Sequence, residues 1–220
     1  MRRIVGAAFS TLDGVIQGPG GPSEDPTGGF PFSGWLPPVG DEAIDKTIGE
    51  LFGRPFDLLL GRRTYDIFAA YWPYAPDQMA DIRDPFNSCT KYVVTHRDQP
   101  LDWQNSKRVD IEALHSIKQS DGPDLVIQGS STIYPQLLEA GLLDELTLMI
   151  SPLVLGQGKR LFGDGTPPRT LKMTGHQVSG GGTVIATYEP AGPVEIGTYV
   201  TSEPSQREEA RQAAMAEGNW

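Results

Sequence analysis

Apolar residues along this chain follow two rhythms: short unbroken runs, and stretches in which they return every third or fourth position. The first rhythm predicts buried strands and the second predicts amphipathic helices. Residues 2–9 form the first run, with Ile4, Val5, Ala7, Ala8 and Phe9. Further runs lie at 57–60 (DLLL), 91–95 (KYVVT), 124–128 (DLVIQ) and 146–150. Between them the helical rhythm covers 41–52, where Asp41 can cap a helix with Ile44, Ile48, Leu51 and Phe52 on one face. It returns at 61–72, 77–88, 111–119 and 129–141. Two late β segments, 169–178 and 183–189, flank Gly180-Gly181-Gly182 and predict a hairpin. Strands alternating with helices predict an α/β fold: a mostly parallel sheet covered on both faces, to which the hairpin adds antiparallel edge strands.

Two segments break the pattern. Residues 17–40 carry seven glycines and six prolines, which forbids regular structure and marks a long loop. Loops of this length in compact domains are lids, binding loops or disordered segments. Phe30, Phe32 and Trp35 give this one apolar anchors and favour a lid or a binding loop. After Pro190 the chain turns polar, so residues 191–220 are read as a tail, an appended helix or a disordered end, behind one domain over 1–190.

Composition narrows the function classes. A chain of 220 residues suits one domain with a full core, and no apolar run approaches the roughly 18 residues that span a bilayer. The basic, then apolar, start runs straight into Asp13-Gly14 and reads as a first strand rather than a leader. A single cysteine, Cys89, excludes an intramolecular disulfide framework and a cysteine-rich zinc site; a reducing cytoplasm is the simplest compartment. The three histidines lack metal-ligand spacing, so no metal site is expected. A net charge of −10 with no basic run argues against nucleic-acid binding, and any anionic ligand must be held by a local group of cations and backbone amides.

Two segments share the design such a ligand needs. FDLLL-GRRTYDIF and DLVIQ-GSSTIYPQLL each pass from a buried strand through glycine to a polar helix start. The free N–H groups and dipole of a first helical turn attract anions, and glycine lets a ligand approach the backbone. One such turn is weak, because Gly, Ser and Thr also serve as plain caps. Two at the carboxyl ends of parallel strands predict a binding cleft. Ser130, Ser131 and Thr132 are placed to hold a pyrophosphate. Arg63, Thr64, Thr95 and Arg97 are placed on the 2′-phosphate that distinguishes NADPH from NADH. Arg62 has an equal alternative, a helical pair with Asp66. No G-x-G-x-x-G occurs, so a dinucleotide would not bind as in a Rossmann domain. Two carboxylates stand out as substrate contacts: Asp13, otherwise a turn residue before Gly14, and Asp45 on the first helix.

The stretches FSTLDGVIQGPGG, LLLGRRTYDIFAAYWP, KYVVTHR, DLVIQGSSTIYPQLLEAGLLDELTLMISPLVLGQGKRLF and TYEP resemble the dihydrofolate reductase superfamily. Within it they are most similar to stand-alone relatives of the riboflavin-biosynthesis reductase domain. The resemblance implies a three-layer sandwich of the dihydrofolate reductase type, with NADPH in a groove of the sheet. It assigns Gly61 to Thr64 and Thr95, His96 and Arg97 to the adenosine phosphate, and Gly129 to Ile133 to the pyrophosphate. It sets the backbone of Ala7 and Ala8 against the nicotinamide, and Ile16 beside the mobile loop. It also raises Asp45 as the carboxylate that anchors the substrate ring and supports its protonation, places Ile127 where the riboflavin reductases carry an acid, and implies a homodimer through the late β segments. The combined reading is an NADPH-dependent reductase of a small heterocycle, pterin- or folate-like or a ribosylaminopyrimidine, with Trp35 covering the site. The alternatives are an NADPH-binding or redox-sensing protein without turnover, and a scaffold whose two glycine turns are plain caps.

Overall fold

A computed structural model of the chain describes residues 1–219. Its centre is one eight-stranded sheet of order β4-β3-β2-β5-β1-β6-β8-β7. The strands are β1 (Ile4–Thr11), β2 (Phe56–Gly61), β3 (Lys91–Val94), β4 (Ser106–Val109), β5 (Asp124–Gln128), β6 (Glu145–Ser151), β7 (Leu171–Val178) and β8 (Val184–Pro190). All pairings from β4 across to β6 are parallel, and β8 and β7 close the sheet as the expected antiparallel hairpin.

The helices divide by face. Leu114 of α4 (Ala113–Gln119) and Leu137 and Leu138 of α5 (Tyr134–Glu139) pack with Ile4, Ala8, Leu125 and Ile127. On the other face Phe52 of α1 (Glu42–Phe52), Tyr65 of α2 (Arg62–Tyr71) and Phe86 of α3 (Ala80–Ser88) pack with Leu58, Leu60, Val93 and Val126. This is the three-layer α/β arrangement anticipated from the alternating pattern. Asp41 caps α1, accepting from the N–H groups of Ala43 and Ile44.

Two elements differ from expectation. β4 was not foreseen, because its residues SKRV are polar and stand half-exposed or exposed at the sheet edge, where neither face imposes an apolar pattern. The helix expected from 129 begins only at Tyr134, and residues 129–133 form a turn instead. Beyond Pro190 the chain has no helix or strand as far as Ser205 and then forms α6 (Gln206–Ala216), capped by Ser205 and with no buried residue. Among the described residues no helix is long and apolar enough to cross a membrane.

β1 runs through the middle of the sheet, and Gly6 is where α5 comes closest to it. A Cβ at Gly6 would lie 2.6 Å from Cε1 and 2.8 Å from the hydroxyl oxygen of Tyr134. Tyr134 is fully buried, and its hydroxyl donates to the carbonyls of Ala7 and Ile127 at 3.4 Å. Burial pushes its phenol far above the ordinary range, so it stays a neutral donor. Gly6→Ala therefore overpacks the sheet directly beneath the cleft. We expect a loss of about 1–3 kcal/mol, seen as a Tm lowered by roughly 2–4 °C per kcal/mol in a thermal melt. An unchanged Tm would show that Tyr134 can retreat freely.

Candidate functional site

The strand order decides where the two glycine turns meet. β2 and β5 are neighbours, so the turns that follow them open at the same edge of the sheet. Ser130 joins them. Its Oγ accepts from the N–H of Gly61 at 2.9 Å and donates to Oγ1 of Thr64 at 2.8 Å. Gly129 and Ser130 are consecutive left-handed residues, with φ of 77° and 65°. Serine rarely adopts that conformation, and the strain persists because its side chain is locked between the turns. The bend leaves the N–H groups of Ser131 and Thr132 without a backbone acceptor among the described residues, and the Ile133 N–H donates back to the Ser130 carbonyl at 2.9 Å. Gly61 is the N-cap of α2, whose first turn presents further free N–H groups. Gly61, Arg63, Thr64, Ile67 and Ser130 to Thr132 line one side of a cleft. Ile16, Gln17, Gly18, Asp25 and Lys159 line the other.

The cations sort themselves. Arg62 is engaged: it pairs with Asp66 at 2.8 Å and donates to the Gln99 carbonyl at 2.9 Å, so the intrahelical alternative accounts for it. Arg63 and Arg97 are exposed and make no ion pair among the described residues. β3 is the parallel neighbour of β2, which brings Thr95, His96 and Arg97 alongside the first turn of α2. The Arg97 N–H donates to Oγ1 of Thr95 at 3.1 Å, tightening that bend.

Most other expected contacts, Thr95, His96 and Arg97 included, do not line the cleft. Ile127 is fully buried on the α4–α5 face and offers its side chain to no ligand. Trp35 is corrected from cover to core: it is 6% exposed, packs with Val15 and Phe30, and donates its indole N–H to the Gln17 carbonyl at 2.9 Å. Asp13 is committed to the loop junction, accepting from Thr11 Oγ1 and from the N–H groups of Leu155 and Gly156. Those bonds, led by the Thr11 hydroxyl, hold its carboxyl below the usual carboxylate range. Asp45 stands exposed on α1 and does not line the cleft. Ala7 and Ala8 are sealed within the sheet, and the Ala7 carbonyl already accepts from Gly129 at 3.2 Å. Ile16 lines the cleft, its N–H bonded to the Lys159 carbonyl at 2.9 Å. Cys89 is inert, since burial pushes its thiol up to about 11.

Sequence reasoning missed Asp25 and Lys159. Asp25 is 6% exposed inside the loop of residues 17–40 and pairs with the Lys159 ammonium at 2.5 Å. Burial pushes its carboxyl up, but the Lys159 and Thr27 hydrogen bonds and the lysine charge outweigh this and leave it lowered, so it is ionised. The signal was present in the GQGKRLF stretch, where one lysine sits among glycines, but nothing in sequence connects it to position 25.

Ser130 carries the geometry of both turns, and its removal is measurable. Ser130→Ala leaves the buried Gly61 N–H without an acceptor. We expect a loss of about 1–3 kcal/mol by urea unfolding, with the m-value unchanged. A variant as stable as the parent would mean that the two turns hold each other by other contacts.

Comparison with known proteins identifies the family and the fold. The family described as the RibD C-terminal domain matches residues 2–185. The uncharacterized protein YyaP of Bacillus subtilis (strain 168) is 28% identical over 195 residues, covering 85% of this chain and 94% of that protein. The crystal structure of a putative riboflavin biosynthesis protein from Shewanella sp. PV-4 superposes with a TM-score of 0.63 at 21% identity, covering 87% of this chain and 99% of that one. A dihydrofolate reductase from Enterococcus faecalis complexed with NADP(H) superposes with a TM-score of 0.52 at 17% identity, covering 86% and 96%. The fold is therefore that of the dihydrofolate reductases, and the chain belongs to the RibD C-terminal domain family.

Proposed function

We propose that this protein is an NADPH-dependent reductase of a small heterocyclic substrate. The observation that carries the reading is the bond from Ser130 Oγ to the two turns, which turns two ordinary strand-to-helix bends into one anion cradle. The residues fit a dinucleotide. The unbonded N–H groups of Ser131 and Thr132 and the first turn of α2 suit a pyrophosphate. Arg63 and Arg97, both free of carboxylate partners among the described residues, suit a 2′-phosphate with Thr64, Thr95 and His96 around it. Arg62 contributes position rather than charge, since it is already neutralised by Asp66.

The bound cofactor supplies a hydride at its nicotinamide C4; the chain supplies orientation and a dry site. Ile16 and Ile67 give the cleft apolar walls, and the loop of residues 17–40, with Trp35 and Phe30 as its own small core, shields it from water. The substrate classes are a ribosylaminopyrimidine, in line with the family, or a pterin or folate, in line with the fold. One observation favours a second reading, an NADPH-binding protein without turnover: Asp45, the carboxylate assigned to protonation, does not reach the cleft. A homodimer and a cytoplasmic setting belong to the same proposal.

Fluorescence titration tests the cofactor. NADPH should bind more tightly than NADH, and Arg97→Ala should weaken NADPH roughly tenfold while leaving NADH unchanged, since only the 2′-phosphate contact is lost. Equal binding of the two nucleotides would remove the 2′-phosphate assignment. A screen following loss of NADPH absorbance with ribosylaminopyrimidines, dihydrofolate and quinonoid pterins then separates reductase from binding protein.

A further inference from the structure

The cleft encloses only about 60 Å³. Sites for drug-sized ligands hold roughly 300–1,000 Å³. The cleft is open on one side, so a dinucleotide would extend beyond this volume, and the wall formed by Gln17, Gly18 and Asp25 borders the space it would enter. Two side chains, Lys159 and Gln17, tie that wall to the rest of the cleft. The Lys159 ammonium donates to Oδ2 of Asp25 and to Oγ1 of Thr27, both at 2.5 Å. Gln17 completes the knot: its Nε2 donates to the carbonyls of Asp25 and Thr27 at 2.9 Å, and its Oε1 accepts from the Lys159 N–H at 3.0 Å.

The lysine backbone is anchored chiefly outside the lid, with one bond to the lid itself, from its N–H to Gln17 Oε1. Ile16 donates to the Lys159 carbonyl at 2.9 Å, Arg160 bridges Val15, and the Arg160 Nε donates to the Asp13 carbonyl at 2.8 Å. The side chain, 28% exposed, lines the same cleft as Ser130, Ser131 and Thr132. A lysine is a point charge on a flexible four-carbon stem, so it can change partners without moving its backbone. The lysine end of the pair is partly exposed but Asp25 is buried, and a buried carboxylate left without its cation is costly, so passing the lysine to a phosphate must carry Asp25 toward water.

Resting on the cofactor reading above, we propose that Lys159 is an exchangeable anion ligand. Lid residues Asp25 and Thr27 hold it until the pyrophosphate of a nucleotide takes their place, so that nucleotide binding and lid release are one event. Lys159 then reads the pyrophosphate and not the 2′-phosphate, which separates its role from that of Arg97. Asp25 acts as an internal competitor, lowering the affinity of the cleft for every phosphate ligand.

The test titrates NADPH, NADH and inorganic pyrophosphate against the full-length protein, Lys159→Gln and Asp25→Asn, with a thermal melt of each variant. Lys159→Gln should weaken both nucleotides to the same extent, roughly 10- to 100-fold, the value of one hydrogen bond to a charged group. Asp25→Asn, which keeps the side-chain shape, should tighten both severalfold and tighten pyrophosphate as well. An independent readout is chymotrypsin cleavage after Phe32 or Trp35. Without nucleotide, Asp25→Asn should be cut faster than the parent, and adding NADPH to the parent should raise its rate toward that of the variant. The proposal is overturned if NADPH binds Lys159→Gln as it binds the parent, or if Asp25→Asn weakens binding as Lys159→Gln does. Failure of the parent to bind any of the three ligands would overturn the cofactor reading, and this inference with it.

Discussion

The cleft exists because β2 and β5 are adjacent and parallel, and because one hydroxyl satisfies both of the turns that follow them. Parallel neighbours end at the same edge of a sheet, so their turns share space whatever their sequences. Sharing space does not create a site. The Gly61 N–H is buried and needs an acceptor, and Ser130 reaches it only from a left-handed backbone. Accepting that strain straightens no helix at 129; it delays α5 to Tyr134 and leaves the N–H groups of Ser131 and Thr132 pointing away from any backbone partner. The proposed anion cradle would thus be a by-product of satisfying one buried donor.

The lid follows a different logic. Its Gly and Pro content forbids a ladder of backbone bonds, so side chains hold it: Gln17 bonds to Asp25, Thr27 and Lys159, and Trp35 bonds back to Gln17. Asp13 ties the root of this loop to residues 155 and 156. These are the polar and aromatic residues that a reader of sequence assigns to a substrate. In a segment whose regular structure is limited to two single 3-10 turns, at Thr27–Gly29 and Pro37–Val39, however, the same groups are needed to satisfy the backbone, and that need takes Trp35, and Asp13 at the root of the loop, away from the cleft.

How much was legible follows from which residues had a repeating neighbour. Buried strands and amphipathic helices announce themselves through period, so β1, β2, β3, β5, β6 and the late hairpin were placed within a few residues, and Asp41 was recognised as a cap. The two glycine turns were legible because each follows a buried strand, and the sheet then brought them together. β4 was not, because an exposed edge strand has no apolar face to declare itself. Residue roles were least legible where they depend on direction. Ile127 lies two residues before a site glycine, but strand alternation turns its side chain to the core. Asp45 shares its helix with Ile44, which packs against the sheet, yet one step around the helix leaves Asp45 outside. The Lys159–Asp25 pair joins positions 134 residues apart with no pattern to connect them.

An acidic protein that binds a polyanion must make its attraction local. The net charge of −10 repels a dinucleotide at long range, but the Debye length is about 8 Å at physiological ionic strength, so distant carboxylates are largely screened inside the cleft. In the proposed reading, a phosphate in the cleft would meet Arg63, Lys159 and the N–H groups of Ser131 and Thr132, with Arg97 outside the cleft lining. Of these three cations, only Lys159 pairs with a carboxylate among the described residues. On that proposal the site is divided between two cations open to a phosphate and one that would be taken from a competitor, and the competitor, Asp25, sits on the loop of residues 17–40.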